Sequence, residues 1–211
     1  MISGRNRVLV RPDKAPYETV SGIKVVKDES GLFAPVFGRE YEARFSFQVA
    51  EAVYVCDTSE ERIGDTEFRE HEVIVKPGDK VIVHHSLRDG HIKYNVNGED
   101  LSMLYYHKVF AIIDGEDLIC NCQFNFIEPL VVEKKESMES GVITLAQKAT
   151  SETYGIVRYL SKSLSDLGVS VGDLVGIAPG RNYDIEWGGK TYYRVETEDV
   201  MVIVADKQVL L

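Results

Sequence analysis

The chain has 211 residues, enough for one large or two small domains, and 44% of them are hydrophobic, so it can build a core. Its net charge is −10, with 15 basic and 21 acidic residues in 1–126 and 9 and 13 in 127–211, so the acidity is spread along the chain. No basic patch stands out, which argues against nucleic acid and anionic membrane as partners.

Glycine (17) greatly outnumbers proline (6), and tyrosine and β-branched residues are frequent, which favours an all-β chain with many turns. The three cysteines, Cys56, Cys120 and Cys122, are an odd number and fit a reducing cytoplasm. Residues 1–7 show no apolar leader segment, and no apolar run approaches a membrane span.

Arg7–Pro12 reads as the first strand, ended by Pro12. Asp13–Ser30 is polar and irregular but holds an apolar island, Ser21–Val26. Residues 31–44 read as loop, Phe45–Val55 as a strand, and Asp57–Glu72 as a charged, solvated hairpin tip. Val73–Val75 and Val81–Val83 flank a Pro77-Gly78-Asp79 turn. Ile92–Val96 and Leu101–Tyr106 flank Asn97-Gly98, a strong hairpin signal, and Lys108–Ile113 is a buried-type strand ending at Asp114-Gly115. Leu118–Phe126 reads as one further strand.

The pattern then restarts. Leu130–Lys134 matches the first strand, and Lys135–Thr153 is polar and irregular around an island, Ser140–Leu145. Tyr154–Tyr159 is a strand. Val169-Ser-Val-Gly-Asp-Leu-Val175 repeats the Gly-Asp phrase 94 residues after its first appearance (Asp79 to Asp173). Trp187–Lys190 is a glycine hairpin, and Thr191–Val195 and Asp199–Val204 close the repeat. One phrase in one order, twice, indicates an internal duplication. The expectation is two small β-barrels, 1–126 and 127–211, with little or no helix. Gly22 to Gly78 spans 56 positions and Gly141 to Gly172 only 31, so the first copy carries the longer insertions.

This arrangement resembles the co-chaperonin family, the GroES-like lids of chaperonin chambers. Arg7–Val10 resembles the family's opening strand. Val75–Val83 and Val169–Val175 resemble its Val-x-x-Gly-Asp-x-Val motif, and Tyr106–Ile113 and Tyr193–Val204 resemble its closing segment. The resemblance covers nearly the whole chain, once per half. It implies two tandem GroES-like barrels and a mobile loop that binds a GroEL-like chaperonin ring. The positions matching that loop are Gly141, Val142, Ile143 and Leu145, and less closely Gly22, Ile23, Val25 and Val26. A roof hairpin would correspond to Asp57–Glu72, while Ser161–Gly168 is too short for one. The tandem pattern departs from the usual single-domain form. It suits a divergent bacterial or phage protein.

The residues argue for such a loop on their own terms. Lys134–Thr153 is rich in Lys, Glu, Ser and Thr and cannot bury enough apolar surface to order itself, yet it carries one apolar cluster. Such a segment suits folding on a hydrophobic groove. The alternative is that Val142, Ile143 and Leu145 form an ordinary core strand.

Five histidines and Cys-Asn-Cys lack the paired spacing of a zinc site, and no Ser–His–Asp order is readable. The Tyr105-Tyr106 and Tyr192-Tyr193 pairs read as one ring in and one out. GroES-like barrels also occur in medium-chain dehydrogenases, but the Gly-x-Gly-x-x-Gly these need is missing. The expectation is a cytoplasmic co-chaperonin that is not an enzyme and needs no cofactor or metal. It would act as a homo-oligomer and meet unfolded substrates indirectly. The terminal apolar strands Val8–Val10 and Val200–Val204 would pair between neighbours. The rival is a structural oligomer built on the same barrel without chaperonin binding.

Overall fold

The computed structural model describes residues 6–12, 17–20, 23–27, 33–35, 47–62, 67–84, 93–134 and 147–204. Over these the protein is almost entirely β, as expected. The chain divides into two compact units, Met1–Cys122 and Gln123–Leu211. The division falls four residues before the expected 126/127. Leu118–Phe126 is not one strand but two, broken at Asn121–Gln123, where Cys122 takes a left-handed φ of 53°. Phe124–Ile127 then pairs with Tyr193–Glu196 and so belongs to the second unit.

The first unit contains β1 (Arg7–Pro12), β2 (Tyr17–Val20), β3 (Ile23–Lys27), β4 (Phe33–Pro35), β5 (Phe47–Val55), β6 (Ser59–Arg62), β7 (Phe68–His71), β8 (Lys80–His84), β9 (Lys93–Val96), β10 (Glu99–Tyr105), β11 (Val109–Asp114) and β12 (Asp117–Cys120). Its main antiparallel sheet runs β12-β11-β8-β5-β1-β10-β9. The second unit contains β13 (Phe124–Lys134), β14 (Gln147–Tyr159), helix α1 (Lys162–Asp166), β15 (Leu174–Ile177), β16 (Tyr183–Trp187), β17 (Lys190–Glu196) and β18 (Val200–Val204). Its sheet runs β16-β17-β13-β14-β15-β18.

Read from the hairpin end, β9-β10-β1-β5-β8-β11 and β16-β17-β13-β14-β15-β18 are the same order. The main sheet of the first unit adds only β12. The irregularities repeat as well. Against β1, the ladder of β5 skips Val53, and against β13 the ladder of β14 skips Arg158. Phe110 is skipped between β11 and β8, and Met201 between β18 and β15. Shared bulges in shared places are the mark of a duplication. Both sheets are open: neither strand order returns to its start. Closure into barrels, which requires first and last strands to pair, is not seen in the hydrogen-bonded ladders.

The repeated Gly-Asp phrase is built identically in both units, though not as expected. Val73–Val75 and Val169–Val171 form no strand. Each leads instead into a turn whose glycine, Gly78 or Gly172, has φ +95°. The Asp79 carboxylate accepts from the Lys76 N–H at 2.7 Å, and that of Asp173 from the Ser170 N–H at 2.8 Å. Gly78 N–H donates to the Ala52 carbonyl and Ala52 N–H to the Asp79 carbonyl, at 2.7 and 2.8 Å. Gly172, Val157 and Asp173 repeat this at 2.9 Å for both bonds. Val75 and Val169 are buried immediately before the turn and join the two cores.

In the first unit Val8, Val10, Ala50, Ala52, Val81 and Val83 form that core around Tyr106. The Tyr106 hydroxyl accepts from Ile74 N–H at 2.8 Å and Val75 N–H at 3.3 Å, so it serves backbone that no ladder satisfies. Burial pushes this phenol up to about 12. Tyr105 faces outward and Tyr106 inward, as expected; Tyr192 and Tyr193 are both buried, which corrects the reading of that pair.

Other expectations need correction. Asp13–Ser30 is not irregular throughout, since β2 and β3 pair within it, and β4 joins them in a three-stranded sheet. Lys135–Thr153 gives up its last seven residues to β14. Val8–Val10 cannot pair with a neighbouring chain, because β1 lies between β5 and β10 and those residues are buried.

No atom stands within 4 Å of where a Cβ would project at Gly78 or Gly172. Any loss from alanine there is therefore one of backbone conformation. Gly78→Ala and Gly172→Ala should each cost about 1–3 kcal/mol, read by urea unfolding. A loss under a few tenths would mean the turns are free to relax.

Candidate functional site

The two predicted loops occupy one topological position. Residues 13–46 connect β1 to β5, and residues 135–146 connect β13 to β14, the equivalent pair in the second sheet. Each connection leaves from an interior strand of its sheet, β1 between β5 and β10 and β13 between β14 and β17.

In the first unit, Ile23, Val25 and Val26 lie on β3, the middle strand of the β2-β3-β4 sheet; Gly22 lies outside the described residues. Val20 pairs with Ile23, and Val25 and Val26 pair on both sides, with Glu18 and Tyr17 and with Pro35 and Ala34. A partner that adds a strand finds the backbone of Val25 and Val26 already engaged.

In the second unit, Gly141, Val142, Ile143 and Leu145 all lie outside the described residues, but both feet of their segment are described. Val131, Val132, Glu133 and Lys134 pair with Thr150, Ala149, Lys148 and Gln147.

A large bulge separates these feet from the sheet. Pro129 pairs with Gly155 and Val131 with Thr150, so Leu130 alone opposes Ser151–Tyr154. Pro129 contributes by lacking a ladder donor. The Ser151 hydroxyl accepts from the Tyr154 N–H at 3.1 Å and the Thr153 N–H at 3.4 Å, so the side chain supplies what the ladder omits. A bulge bends its strand and increases its twist. The ribbon that bears residues 135–146 is therefore set off from the sheet by a built joint. Gly155 makes the joint possible: a Cβ there would stand 2.5 Å from the Glu128 carbonyl oxygen and 2.6 Å from Ile127 Cγ2.

The strand pattern of 154–159 was legible, but the joint was not. Its signals were Pro129 and Gly155, which are a proline and a glycine inside otherwise good strands. Below the joint, Arg158 and Glu128 form an ion pair whose side chains are 41% and 33% exposed, so it contributes little. Burial, and then the charges of Glu152 and Glu186, hold the Asp184 carboxyl above the usual range. The second unit thus keeps an acidic group on its sheet near the joint.

Helix α1 lies between β14 and β15, at the point of the chain where the first unit has β6 and β7. Ser161 caps it by accepting from the Leu164 N–H at 3.3 Å, and Asn125 Oδ1 accepts from the Ser161 N–H at 2.8 Å. Leu164 goes into the core. Asp57–Glu72 does form a hairpin in the first unit, β6 with β7.

The two units differ at one sheet edge. Strand β11 is covered by β12, and Val109–Ile112 are buried. Its equivalent β18 pairs only with β15 among the described residues, and Met201, Val202 and Ile203 are 70, 49 and 44% exposed. The cysteines carry no disulfide and are half-buried; burial raises the Cys56 thiol. Among the described residues no three His, Cys, Asp or Glu side chains are grouped to hold a metal, and no helix is long and apolar enough to cross a membrane.

No family model matches the chain, and no curated protein matches it either.

Gly155→Ala must displace backbone rather than a flexible side chain, so it should cost about 1–3 kcal/mol, as overpacking does. Thermal unfolding checks this. An unchanged midpoint would mean that the joint yields freely and does not aim the ribbon.

Proposed function

We propose that this protein is a co-chaperonin of tandem form, in which two GroES-like barrel units act as a lid on a chaperonin ring. The supporting observation is the duplication with its paired connections: two units of one strand order, each extending a segment from between the same two strands. In the second unit that segment rises on a two-stranded foot beyond a bulge, and its sequence carries the Gly141-Val-Ile-Thr-Leu145 cluster.

The lid performs no chemistry in this reading, and the chaperonin supplies ATP hydrolysis. Val142, Ile143 and Leu145 dock in an apolar groove of the ring. Each buried apolar side chain contributes about 1.5–3 kcal/mol. Fixing each backbone residue costs about 1–2 kcal/mol, so a single loop binds weakly. The paired feet bring the loop's ends together before docking, which lowers the closure cost. Several loops on one assembly then bind through effective concentration. The first-unit segment, with Val25 and Val26 in the middle of a sheet, is the lesser contributor. The setting is the cytoplasm, and unfolded proteins are met only through the chamber.

A lid of this kind is an oligomer, and β18 is its subunit contact. Its five residues carry no charge, and its outer backbone edge has no partner among the described residues. An apolar open edge is a template for pairing with another chain. The same edge supports the second reading, a structural oligomer without chaperonin binding.

Two measurements separate the readings. Ile143→Ser should abolish nucleotide-dependent capture of a chaperonin ring while leaving the melting temperature and particle mass unchanged. A melting temperature lowered by several degrees would place Ile143 in the core instead, and wild-type protein that captures no chaperonin would leave only the structural oligomer. Light scattering should give a mass of several chains at micromolar concentration, and Ile203→Lys should reduce it to one chain. A monomeric wild-type mass would count against both readings.

A further inference from the structure

Strands β11 and β18 hold one place in the two sheets, and their ladders fix which residues correspond. Val109 pairs with Val83 and Val200 with Ile177, while Ile112 pairs with Val81 and Ile203 with Val175. The offset is 91 positions at both ends (200 minus 109, 203 minus 112). Carried forward, it sets Gln208-Val-Leu-Leu211 on β12, which is Asp117-Leu-Ile-Cys120. Residues 205–211 lie outside the described residues. We propose that residues 208–211 of a second copy add to the open edge of β18, each chain of a pair lending this segment to the other.

Edge and segment match in chemistry. Val202 and Ile203 are 49 and 44% exposed, whereas their counterparts on the strand that β12 covers, Ala111 and Ile112, are 0 and 9% exposed. The segment that corresponds to the cover carries Val209, Leu210 and Leu211, three apolar residues in a row. The turn then decides between the chain's own segment and that of a second copy. Gly115-Glu116 joins β11 to β12, and of these two residues only Gly115 has a positive φ, 64°. That is the pattern of a type II′ hairpin turn, which takes glycine at its first central position. The counterpart of Gly115-Glu116 is Asp206-Lys207. The Cβ of an aspartate opposes the conformation that glycine adopts freely. The tight return that folds β12 onto β11 is therefore disfavoured after β18.

Charge points the same way. The β11–β12 register sets Ala111 opposite Cys120 and Asp114 opposite Asp117. Transferred to two antiparallel chains, it sets Val202 of one opposite Leu211 of the other, and Ile203 opposite Leu210. Midway, Asp206 of each chain then stands opposite Lys207 of the other. Opposite charges directly across a ladder stabilise it. Glycine and glutamate at these positions of the first unit offer no such pair. The exchange is isologous, so it joins chains in twos and gives the particle an even number of them. It also supplies a ladder to the edge of β18 that has no partner among the described residues. The inference rests on the reading of β18 as a subunit contact and names the segment that makes it; it does not depend on chaperonin binding.

The test is a disulfide trap in the full-length protein carrying Ile203→Cys together with Leu210→Cys. Residues directly opposite in an antiparallel ladder have Cα atoms about 4.5–5.5 Å apart, which a disulfide spans. After mild oxidation, the expected product on a gel without reductant is a covalent pair of chains that reductant separates. Neither single variant should give it, although each keeps the native cysteines. Ile203 is exposed, so the fold survives its replacement. Two further variants read the hinge by light scattering across a dilution series. Asp206→Gly restores the turn glycine and should raise the dissociation constant at least about tenfold. Lys207→Glu should raise it about two- to thirtyfold, and Asp206→Lys in the same chain should restore it. A disulfide formed within one chain would overturn the exchange in favour of the chain's own hairpin. A particle of several chains that gives no disulfide, and whose mass Leu210→Asp leaves unchanged, would overturn it while leaving β18 in contact with some other strand. A monomeric wild type would overturn both the exchange and the contact it rests on.

Discussion

Each unit depends on a reciprocal pair of backbone hydrogen bonds between a Gly-Asp turn and a bulged strand. Ala52 and Val157 lie one residue before the skipped Val53 and Arg158, and each exchanges bonds with both residues of its turn. The bulge frees those backbone groups from the ladder, and the turn accepts them. Only a glycine holds φ +95° without strain, and only a short acceptor side chain closes the turn from within, which is why Gly and Asp recur together. The valine ahead of each turn is thereby carried into the core. A single local device thus fixes the bulge, the turn and a core position together.

That device explains why the connections between the first two strands of each sheet can differ so much. The strands they join are held by neighbours on both sides and by the turn. A long insertion between them adds loop entropy only slowly with length. The first unit uses this freedom for a small sheet, and the second for a ribbon set off by the Ser151–Gly155 joint. A mobile-loop function as proposed needs that combination: a rigid root and a segment whose order is not required by the core.

Much of this was legible in the sequence because turn residues carry conformation directly. Gly78-Asp79, Gly172-Asp173, Asn97-Gly98 and Asp114-Gly115 each stand where the chain reverses, and the 94-residue offset announced the duplication. What misled was alternation. Val73–Val75 and Val169–Val171 alternate like strands, but an extended segment bonded to a tyrosine hydroxyl or entering a turn shows the same pattern. Helix α1 spans five residues, too few for a 3.6-residue period to emerge, and its N-cap Ser161 is one serine among many. Tyr192 and Tyr193 are both buried because β17 is covered over both faces in that stretch, which periodicity cannot report. The open sheets were also out of reach, since closure depends on pairing between the ends of the strand order and leaves no mark within any one strand. The facing acids of the hairpin were invisible for another reason: the sequence shows a charged segment, and only the register sets Glu60 against Glu70.

The two copies differ in what each adds to a shared sheet. The two sheets share order, bulges and turn, yet β12 closes off in the first unit the edge that β18, among the described residues, leaves open in the second. Burial follows the cover: Val109, Phe110, Ala111 and Ile112 are inside, while Met201, Val202 and Ile203 face outward with the same apolar character. Since the cores match residue for residue at Val75 and Val169, Val81 and Val175, and Val83 and Ile177, folding does not require the edge to be either covered or open. An apolar edge that the core does not need is a liability unless another strand takes it. The first unit also carries the acidic β6–β7 hairpin, where the second has helix α1. If both copies served one role, these features would be expected in both. Their separation gives the two copies different surfaces, an apolar strand edge at β18 in the second unit and an acidic hairpin in the first.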